Sequence, residues 1–473
     1  MLRSFLALVL VSAACSKTPP AQPPTPPVTQ PPPPPAPAKV TFPNVPSTPV
    51  GDQLAWVFDL LAHRQGKVDK AEVEAHFDPS FLAKVPAEQL VGVLAQVAAK
   101  ATDLTVGEAK GDDTRLVART SAGGQKFLTK IAIDATSKKI VGLLFQPDDE
   151  MGPKPASYDE AKQMMSALAP RTSLLVAEVT KGACKPVFSI APGDELAIGS
   201  TMKLYVLLGL ADKVIAGKAK WEDELAVRDD WKSLPSGVTQ DDAAGTKLSL
   251  QTLAERMISI SDNSATDHLL YYLGRKQVEA AVRAAKHSKP ALDTPFASTR
   301  EFFDLKLESS QDERDAYVKM SEAKRRDHLD KTLAQKMPAL DKANDWKTAR
   351  AVDKIEWFAS GNDLCNVMAT LWQRGQNPKA KVLLDVLSKN PGLPIDKAQF
   401  PYIGFKGGSE PGVISMTYLL KRADDKLFVV SSSFNAAEDG GLDEGKVVGV
   451  IAGIIEVLGK DGKPGDKPAE PKK

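Results

Sequence analysis

Two residues near the middle of the chain have the types and spacing of a serine nucleophile and its base. Ser200 and Lys203 lie three positions apart in the run Gly199-Ser200-Thr201-Met202-Lys203, where a strand-like segment ends and a helix-like segment begins. Side chains with this spacing share one face of a helix. A lysine amine with a lowered pKa can take the proton of a serine hydroxyl and so activate it. The pair therefore predicts acyl transfer through Ser200.

Two further motifs follow in order along the chain. A Ser-Asp-Asn triplet at 261–263 begins 61 residues after Ser200, and a Lys-Gly-Gly triplet at 406–408 begins 145 residues after Ser261. Together with Ser-x-x-Lys, these motifs resemble those of the active-serine penicillin-recognising enzymes, most closely the class A β-lactamases. Three independent motifs in one order make this resemblance specific.

The resemblance implies a role for each motif residue. It assigns catalysis to Ser200, Lys203, Ser261 and Lys406, an oxyanion hole to the backbone N–H groups of Ser200 and Ser409, and substrate contacts to Asn263, Gly407 and Gly408. Ser261 would relay a proton to the leaving group, and Asn263 would also orient Lys203. Asp262 would pin its own loop. The resemblance implies no metal ion and no other cofactor.

The sequence departs from the class A pattern where the deacylation glutamate is expected. The stretch 294–301 contains no Glu-x-x-x-Asn segment, and Glu301 and Glu356 are the possible substitutes. Without such a base, water activation would depend on Lys203 or another group. We therefore expect slow hydrolysis of the acyl-enzyme.

Two groups that bind a substrate carboxylate in the family are also absent. Gly407 replaces the usual Thr or Ser, and Met416 stands where an arginine is expected, with Arg422 further on. These losses favour weak β-lactamase or esterase activity on a small-molecule or cell-wall-derived substrate. A D,D-peptidase acting on peptidoglycan stems and a non-catalytic cell-wall-binding module are the alternatives.

The first 15 residues have the pattern of an export signal. Arg3 precedes a short apolar run, Phe5 to Val11, and small residues then lead to Cys15. This resembles the lipobox of bacterial lipoproteins, which implies a lipid on Cys15 and a membrane anchor facing the periplasm or the cell surface. An ordinary secretory signal is the alternative. Residues 16–47 form a proline-rich linker, which favours an extended spacer over a partner-binding motif.

Residues 48–150 have the pattern of a small α+β domain. Helical periodicity covers 52–61 and 86–100, and three alternating segments, 115–120, 127–134 and 139–146, predict strands. The domain resembles the cystatin-like or NTF2-like domain that precedes β-lactamase-like domains in a clavulanic-acid-cluster protein and in mycobacterial lipoproteins. His63 and His76 are isolated, which favours surface or capping roles.

Residues 155–458 contain all three motifs. Strand patterns lie at both ends of this segment, with helices between them, so the α+β fold implied by the resemblance is a five-stranded antiparallel sheet flanked by helices. The tail 459–473 has the composition of a disordered segment.

Two other features of this segment leave alternatives open. Residues 301–350 include 22 charged side chains, which predicts exposed helices, with a lid over the site as the alternative. Cys184 and Cys365 are predicted to be free thiols, although export would allow a disulfide.

The overall composition limits the function classes. The 473 residues are enough for two or three domains, and the net charge of +1 gives no electrostatic footprint for nucleic acid. The sequence indicates no oligomeric state.

Overall fold

A computed structural model describes residues 42–83, 85–123, 125–147, 151–234, 236–333 and 340–460. The predicted signal with Cys15, the prolines between 18 and 37, and the tail from residue 461 lie outside the described residues. The chain divides into two compact units between residues 147 and 151.

The first unit contains four helices and a four-stranded sheet. In chain order these are α1 (Pro49–Ala62), α2 (Lys70–His76), α3 (Pro79–Leu82), α4 (Ala87–Lys100), β1 (Thr105–Gly111), β2 (Arg115–Ala122), β3 (Gln125–Ile133) and β4 (Ile140–Pro147). The strands are antiparallel and hydrogen-bonded in chain order. The periodicity of the sequence indicates α1, α4 and the last three strands, whereas it does not indicate α2, α3 and β1.

Local sequence explains where α1 begins and which face it buries. The hydroxyl of Thr48 accepts a hydrogen bond from the backbone N–H of Gly51, and Pro49 has no N–H that needs a partner. Leu54 and Phe58, four residues apart, are fully buried. His63 is the C-cap residue of α1.

The second unit contains twelve helices and nine strands within the described residues. The helices are α5 (Tyr158–Leu168), α6 (Lys203–Ile215), α7 (Leu250–Ser259), α8 (Asn263–Leu273), α9 (Arg275–Ala284), α10 (Thr299–Phe303), α11 (Gln311–Lys319), α12 (Glu322–His328), α13 (Leu340–Asp345), α14 (Gly361–Gly375), α15 (Val382–Ser388) and α16 (Glu444–Lys460). The strands are β5 (Arg171–Thr180), β6 (Ala183–Ile190), β7 (Leu196–Ala197), β8 (Glu224–Ala226), β9 (Lys247–Ser249), β10 (Phe358–Ala359), β11 (Tyr402–Glu410), β12 (Val413–Lys421) and β13 (Leu427–Asn435).

The main sheet of the second unit has five antiparallel strands in the order β11-β12-β13-β5-β6. Side chains alternate between its faces, so Leu174 and Val176 pack with α5 and α16, while Leu175 and Ala177 pack with α6, α7 and α14. The prediction of a five-stranded antiparallel sheet flanked by helices is confirmed. None of the helices in the described residues is long and apolar enough to cross a membrane.

The prediction of free thiols at Cys184 and Cys365 is wrong. The two residues form a disulfide, with their Cα atoms 6.3 Å apart and a sequence separation of 181. Cys184 lies on β6, the edge strand of the sheet, and Cys365 lies in the first turns of α14, which packs against that strand. Only the packing of α14 under the sheet brings the two thiols together.

The prediction of exposed helices in residues 301–350 is wrong for the beginning of that segment. Glu301, Asp304 and Lys306 are almost completely buried in α10 and the following π-helical turn, Asp304–Glu308. Glu301 is paired with Arg275, and Lys306 with Glu356 and Glu410, since buried charges require pairing. By contrast, α12 has no buried residue.

Candidate active site

Ser200 lies in a 3₁₀ turn, Gly199–Met202, that leads directly into α6. The first nine residues of α6 are buried on every face of the helix, as its apolar run predicts. Gly199 has a φ of +49°, which favours glycine. Ser200 is only half-buried, so its hydroxyl is both firmly held and reachable.

Lys203 contacts Ser200 directly. Its Nζ is 3.0 Å from Ser200 Oγ, 2.8 Å from Asn263 Oδ1 and 2.7 Å from the carbonyl oxygen of Ser261. A neutral amine has two N–H groups, and it can donate them to Asn263 Oδ1 and to the carbonyl oxygen of Ser261. The remaining lone pair can then accept the proton of Ser200.

The pKa of Lys203 matches the task of a base. The side chain is fully buried, and this desolvation lowers the pKa of Lys203 to about 7, against the opposing effect of the negative charges of Asp262 and Asp267. About half of the amine is therefore neutral at pH 7.

Ser261 connects the two lysines. Its Oγ is 3.1 Å from Lys203 Nζ and 3.1 Å from Lys406 Nζ. Lys406 also donates to the carbonyl oxygen of Gly407. Burial, and then the positive charge of Lys203, lower the pKa of Lys406 well below its ordinary value. The hydroxyl of Ser261 is thus placed to pass a proton between these amines and a leaving group.

The residues that follow Ser261 hold the motif in place. Asp262 accepts hydrogen bonds from the backbone N–H groups of Val238 (2.8 Å), Thr239 (2.9 Å) and Ala265 (2.8 Å), consistent with the loop-pinning role that the resemblance implies. Asn263 accepts from Lys203 and donates to the carbonyl oxygen of Leu234 at 3.0 Å. The amide oxygen of Asn263 therefore orients Lys203, while the hydrogen bond to Leu234 holds the amide group in place.

The two amides expected to form the oxyanion hole border one narrow gap. A Cβ on Gly408 would lie 2.6 Å from the backbone nitrogen of Ser200, and a Cβ on Gly199 would lie 3.3 Å from that of Ser409. Only glycine permits this approach of β11 to the turn that carries Ser200. Ser409 is exposed at the edge of the sheet, where a substrate carbonyl can reach it.

The two glutamates considered as deacylation bases have structural partners instead. Glu301 forms a bidentate ion pair with Arg275, at 2.7 and 3.0 Å, and accepts from the backbone N–H of Ser298. Glu356 contacts Lys306 at 3.3 Å. Within the described residues, neither glutamate hydrogen-bonds to Ser200 or Lys203.

Arg422 cannot replace the missing carboxylate-binding arginine. Its guanidinium is paired with Asp424 and donates to the carbonyl oxygen of Leu458. On β12, Thr417 pairs with Lys406 and Met416 pairs with Gly407.

Sequence reasoning missed Asp267, a residue of α8 that joins this helix to the start of α10. Its carboxylate accepts hydrogen bonds from Thr299 N at 2.7 Å, Thr299 Oγ1 at 2.9 Å and Arg300 N at 2.9 Å. Burial raises the pKa of Asp267 to about 7. Its position four residues after Asn263, on the same face of α8, is the signal that could have identified it.

Comparison with known proteins gives two family matches. Residues 157–438, well over half of the chain, match the model of the family described as "Beta-lactamase enzyme family". Residues 45–138 match the family described as "ORF 12 gene product N-terminal". Comparison with curated protein sequences finds no match.

Several solved structures resemble the chain at low identity. The β-lactamase from Sphaerobacter thermophilus DSM 20745 is 18% identical, with 64% of this chain and 97% of that chain covered and a TM-score of 0.43. A β-lactamase from Chitinophaga pinensis DSM 2588 is 13% identical, with 64% of this chain and 98% of that chain covered and a TM-score of 0.44. PBP-A is 14% identical, with 66% of this chain and 99% of that chain covered and a TM-score of 0.42. The family match over residues 157–438 carries the assignment: the chain belongs to the beta-lactamase enzyme family.

Proposed function

We propose that the protein is a serine hydrolase that forms an acyl-enzyme on Ser200. The observation that carries this proposal is the 3.0 Å contact between Ser200 Oγ and a fully buried Lys203 whose pKa is lowered to about 7. The substrates are β-lactams, esters or related amides.

Acylation requires one proton to move from the nucleophile to the leaving group. Neutral Lys203 takes the proton of Ser200 as Oγ attacks the carbonyl carbon, and the N–H groups of Ser200 and Ser409 stabilise the oxyanion. When the tetrahedral intermediate collapses, the leaving nitrogen or oxygen receives a proton through Ser261. Protonated Lys203 returns that proton through Ser261 Oγ, 3.1 Å away, and Lys406 Nζ lies at the same distance from this hydroxyl and orients it.

Hydrolysis of the acyl-enzyme is proposed to be the slow step. Glu301 and Glu356 are held in ion pairs, so water activation depends on Lys203. Gly407 has no hydroxyl, and Arg422 is paired with Asp424, so binding of a substrate carboxylate is weakened. The acyl-enzyme should therefore accumulate.

Parallel labelling and turnover assays test this function. The purified protein is incubated with a fluorescent penicillin, with nitrocefin, with a D-alanyl-D-alanine peptide and with a simple ester, and Ser200→Ala is the control. Stoichiometric labelling with slow nitrocefin turnover supports the proposal. Release of D-alanine would favour the D,D-peptidase alternative. Neither label nor turnover with any substrate would refute the catalytic reading.

We further propose that the protein is exported and lipid-anchored through Cys15. The support is the sequence pattern of residues 3–15 alone. Metabolic labelling with a fatty-acid probe in a bacterial host should mark the wild-type chain and not Cys15→Ala. Equal labelling of both would contradict the anchor.

A further inference from the structure

A buried ion cluster includes Glu410, the residue directly after Ser409, whose amide borders the oxyanion gap. We define the Lys306 cluster as Lys306, Glu356 and Glu410. Lys306 Nζ is 2.7 Å from Glu410 Oε1 and 3.3 Å from Glu356 Oε1, and all three side chains are almost completely buried. Lys306 also donates to the carbonyl oxygen of Arg350 at 2.7 Å.

The members of the cluster depend on one another. Burial, and then the negative charge of Glu356, raise the pKa of Glu410 well above its ordinary value. Glu410 therefore favours its protonated form. A cluster of this kind tolerates burial only while every member is present, since removing one partner leaves a charge uncompensated.

Each carboxylate of the cluster is attached to one side of the oxyanion gap. Glu410 is the last residue of β11 and directly follows Ser409. Glu356 precedes Trp357, whose carbonyl oxygen accepts the backbone N–H of Ile198 at 3.0 Å. Ile198 lies two residues before Ser200.

The strand pairing around this point strengthens the second link. β10 follows Trp357 and pairs with β7 through Phe358 and Ala197. From β7 the chain continues directly into the turn that carries Ser200. Movement of Glu356 would therefore move the segment that holds the Ser200 amide.

We propose that the Lys306 cluster is a positioning device that sets the separation of the Ser200 and Ser409 amides and thereby the rate of acylation. The inference rests on the proposed acylation of Ser200. Lys306 acts through the backbone of its partners and touches no substrate. A displacement of about 1 Å at a reacting centre can cost on the order of 100-fold in rate, so a small shift of either amide would slow acylation strongly.

Kinetics of Lys306→Met and its matched control test the positioning role. Methionine keeps the length of the side chain without its charge, and Lys319→Met removes an exposed lysine of the same charge-rich segment. With a fluorescent penicillin, we expect the saturating acylation rate of Lys306→Met to fall about 10- to 100-fold. The noncovalent dissociation constant should stay within twofold, and the pH midpoint set by Lys203 should not move. Lys319→Met should behave as wild type.

A double variant separates positioning from simple loss of fold. Lys306→Met combined with Glu356→Gln removes both the ammonium and the carboxylate that would otherwise be left buried without a partner, so acylation should recover at least part of the lost rate. Partial unfolding alone would reduce the fraction of protein that becomes labelled without changing the rate of the folded fraction. An unchanged rate in Lys306→Met, a loss of labelled fraction only, or no recovery in the double variant would overturn the proposal. If Lys306→Met does not fold, Glu356→Gln, which removes one carboxylate partner of Lys306, and the double variant provide the same comparison.

Hydrogen exchange keeps this test separate from the proposed function. In the free protein, Lys306→Met should increase amide exchange in peptides that cover 198–202 and 406–410, and Lys319→Met should not. This result is expected whether or not the wild-type chain reacts with a penicillin. Unchanged exchange in both peptides would refute positioning, whereas an unlabelled wild-type Ser200 would refute the acylation proposal.

Discussion

Replacing Gly408 with alanine perturbs the oxyanion gap at its narrowest point. The added Cβ would lie 2.1 Å from the carbonyl oxygen of Ile198 and 2.6 Å from the backbone nitrogen of Ser200. A Cβ does not approach backbone atoms within 3.0 Å, so β11 and the turn must separate by roughly 1 Å. This separation pulls the Ser409 and Ser200 amides apart. Losing one oxyanion donor costs about 2.7–4 kcal/mol, so acylation should slow about 100- to 1,000-fold.

Gly407→Ala is the matched control, because the same methyl group is added one residue earlier. Its nearest neighbour would be a ring atom of Phe405 at 2.9 Å, followed by the carbonyl oxygen of Ser415 at 3.6 Å. A side chain can move aside, so acylation should change by only a few-fold. Quenched-flow labelling with a fluorescent penicillin measures the rates, and thermal unfolding reports the stability of each variant. Equal labelling rates for folded Gly408→Ala and wild type would refute the oxyanion hole.

Three further predictions concern proton transfer, a buried ion pair and the disulfide. The acylation rate should rise about tenfold per pH unit below pH 7 and level off above it, because neutral Lys203 is the base and its pKa is about 7; a rate independent of pH between 5 and 9 would contradict this role. Glu301→Gln should lower the free energy of unfolding by about 3 kcal/mol in urea titrations, since Arg275 loses a buried partner, yet the lifetime of the acyl-enzyme should not change; a longer lifetime would identify Glu301 as the deacylation base. Cys365→Ser should cost about 2–4 kcal/mol of unfolding free energy, and a reducing agent should destabilise only the wild-type chain; equal effects of reduction on both would argue against the disulfide.

The sequence was sufficient to predict the five-stranded sheet and the proximity of the three motifs. Runs of buried residues fill the middle of β5 and most of β12 and β13, because both faces of these strands pack against helical layers. Once those strands pair, Lys406 on β11 and Ser261 before α8 lie beside Ser200. The resemblance of the three motifs to those of a known family predicts this convergence, with Ser200 just before α6, Ser261 just before α8 and Lys406 within β11.

Contacts between residues remote in sequence could not be predicted in the same way. Nothing local indicates that Cys184 and Cys365 pair across 181 residues, because the contact depends on how α14 packs under β6. The charge density of 301–350 predicts solvent exposure, but it does not reveal that Lys306 meets Glu410, which is 104 residues away. Composition records how many charges a segment has and not which of them find buried partners.

The mass spectrum of the intact protein after incubation with benzylpenicillin tests the central claim most directly. We predict that the mass of the wild-type chain increases by one complete penicillin, that a proteolytic peptide containing Ser200 carries the added mass, and that the adduct persists after excess ligand is removed. Ser200→Ala should gain no mass. An unmodified wild-type protein, or an adduct on another residue, would contradict the account.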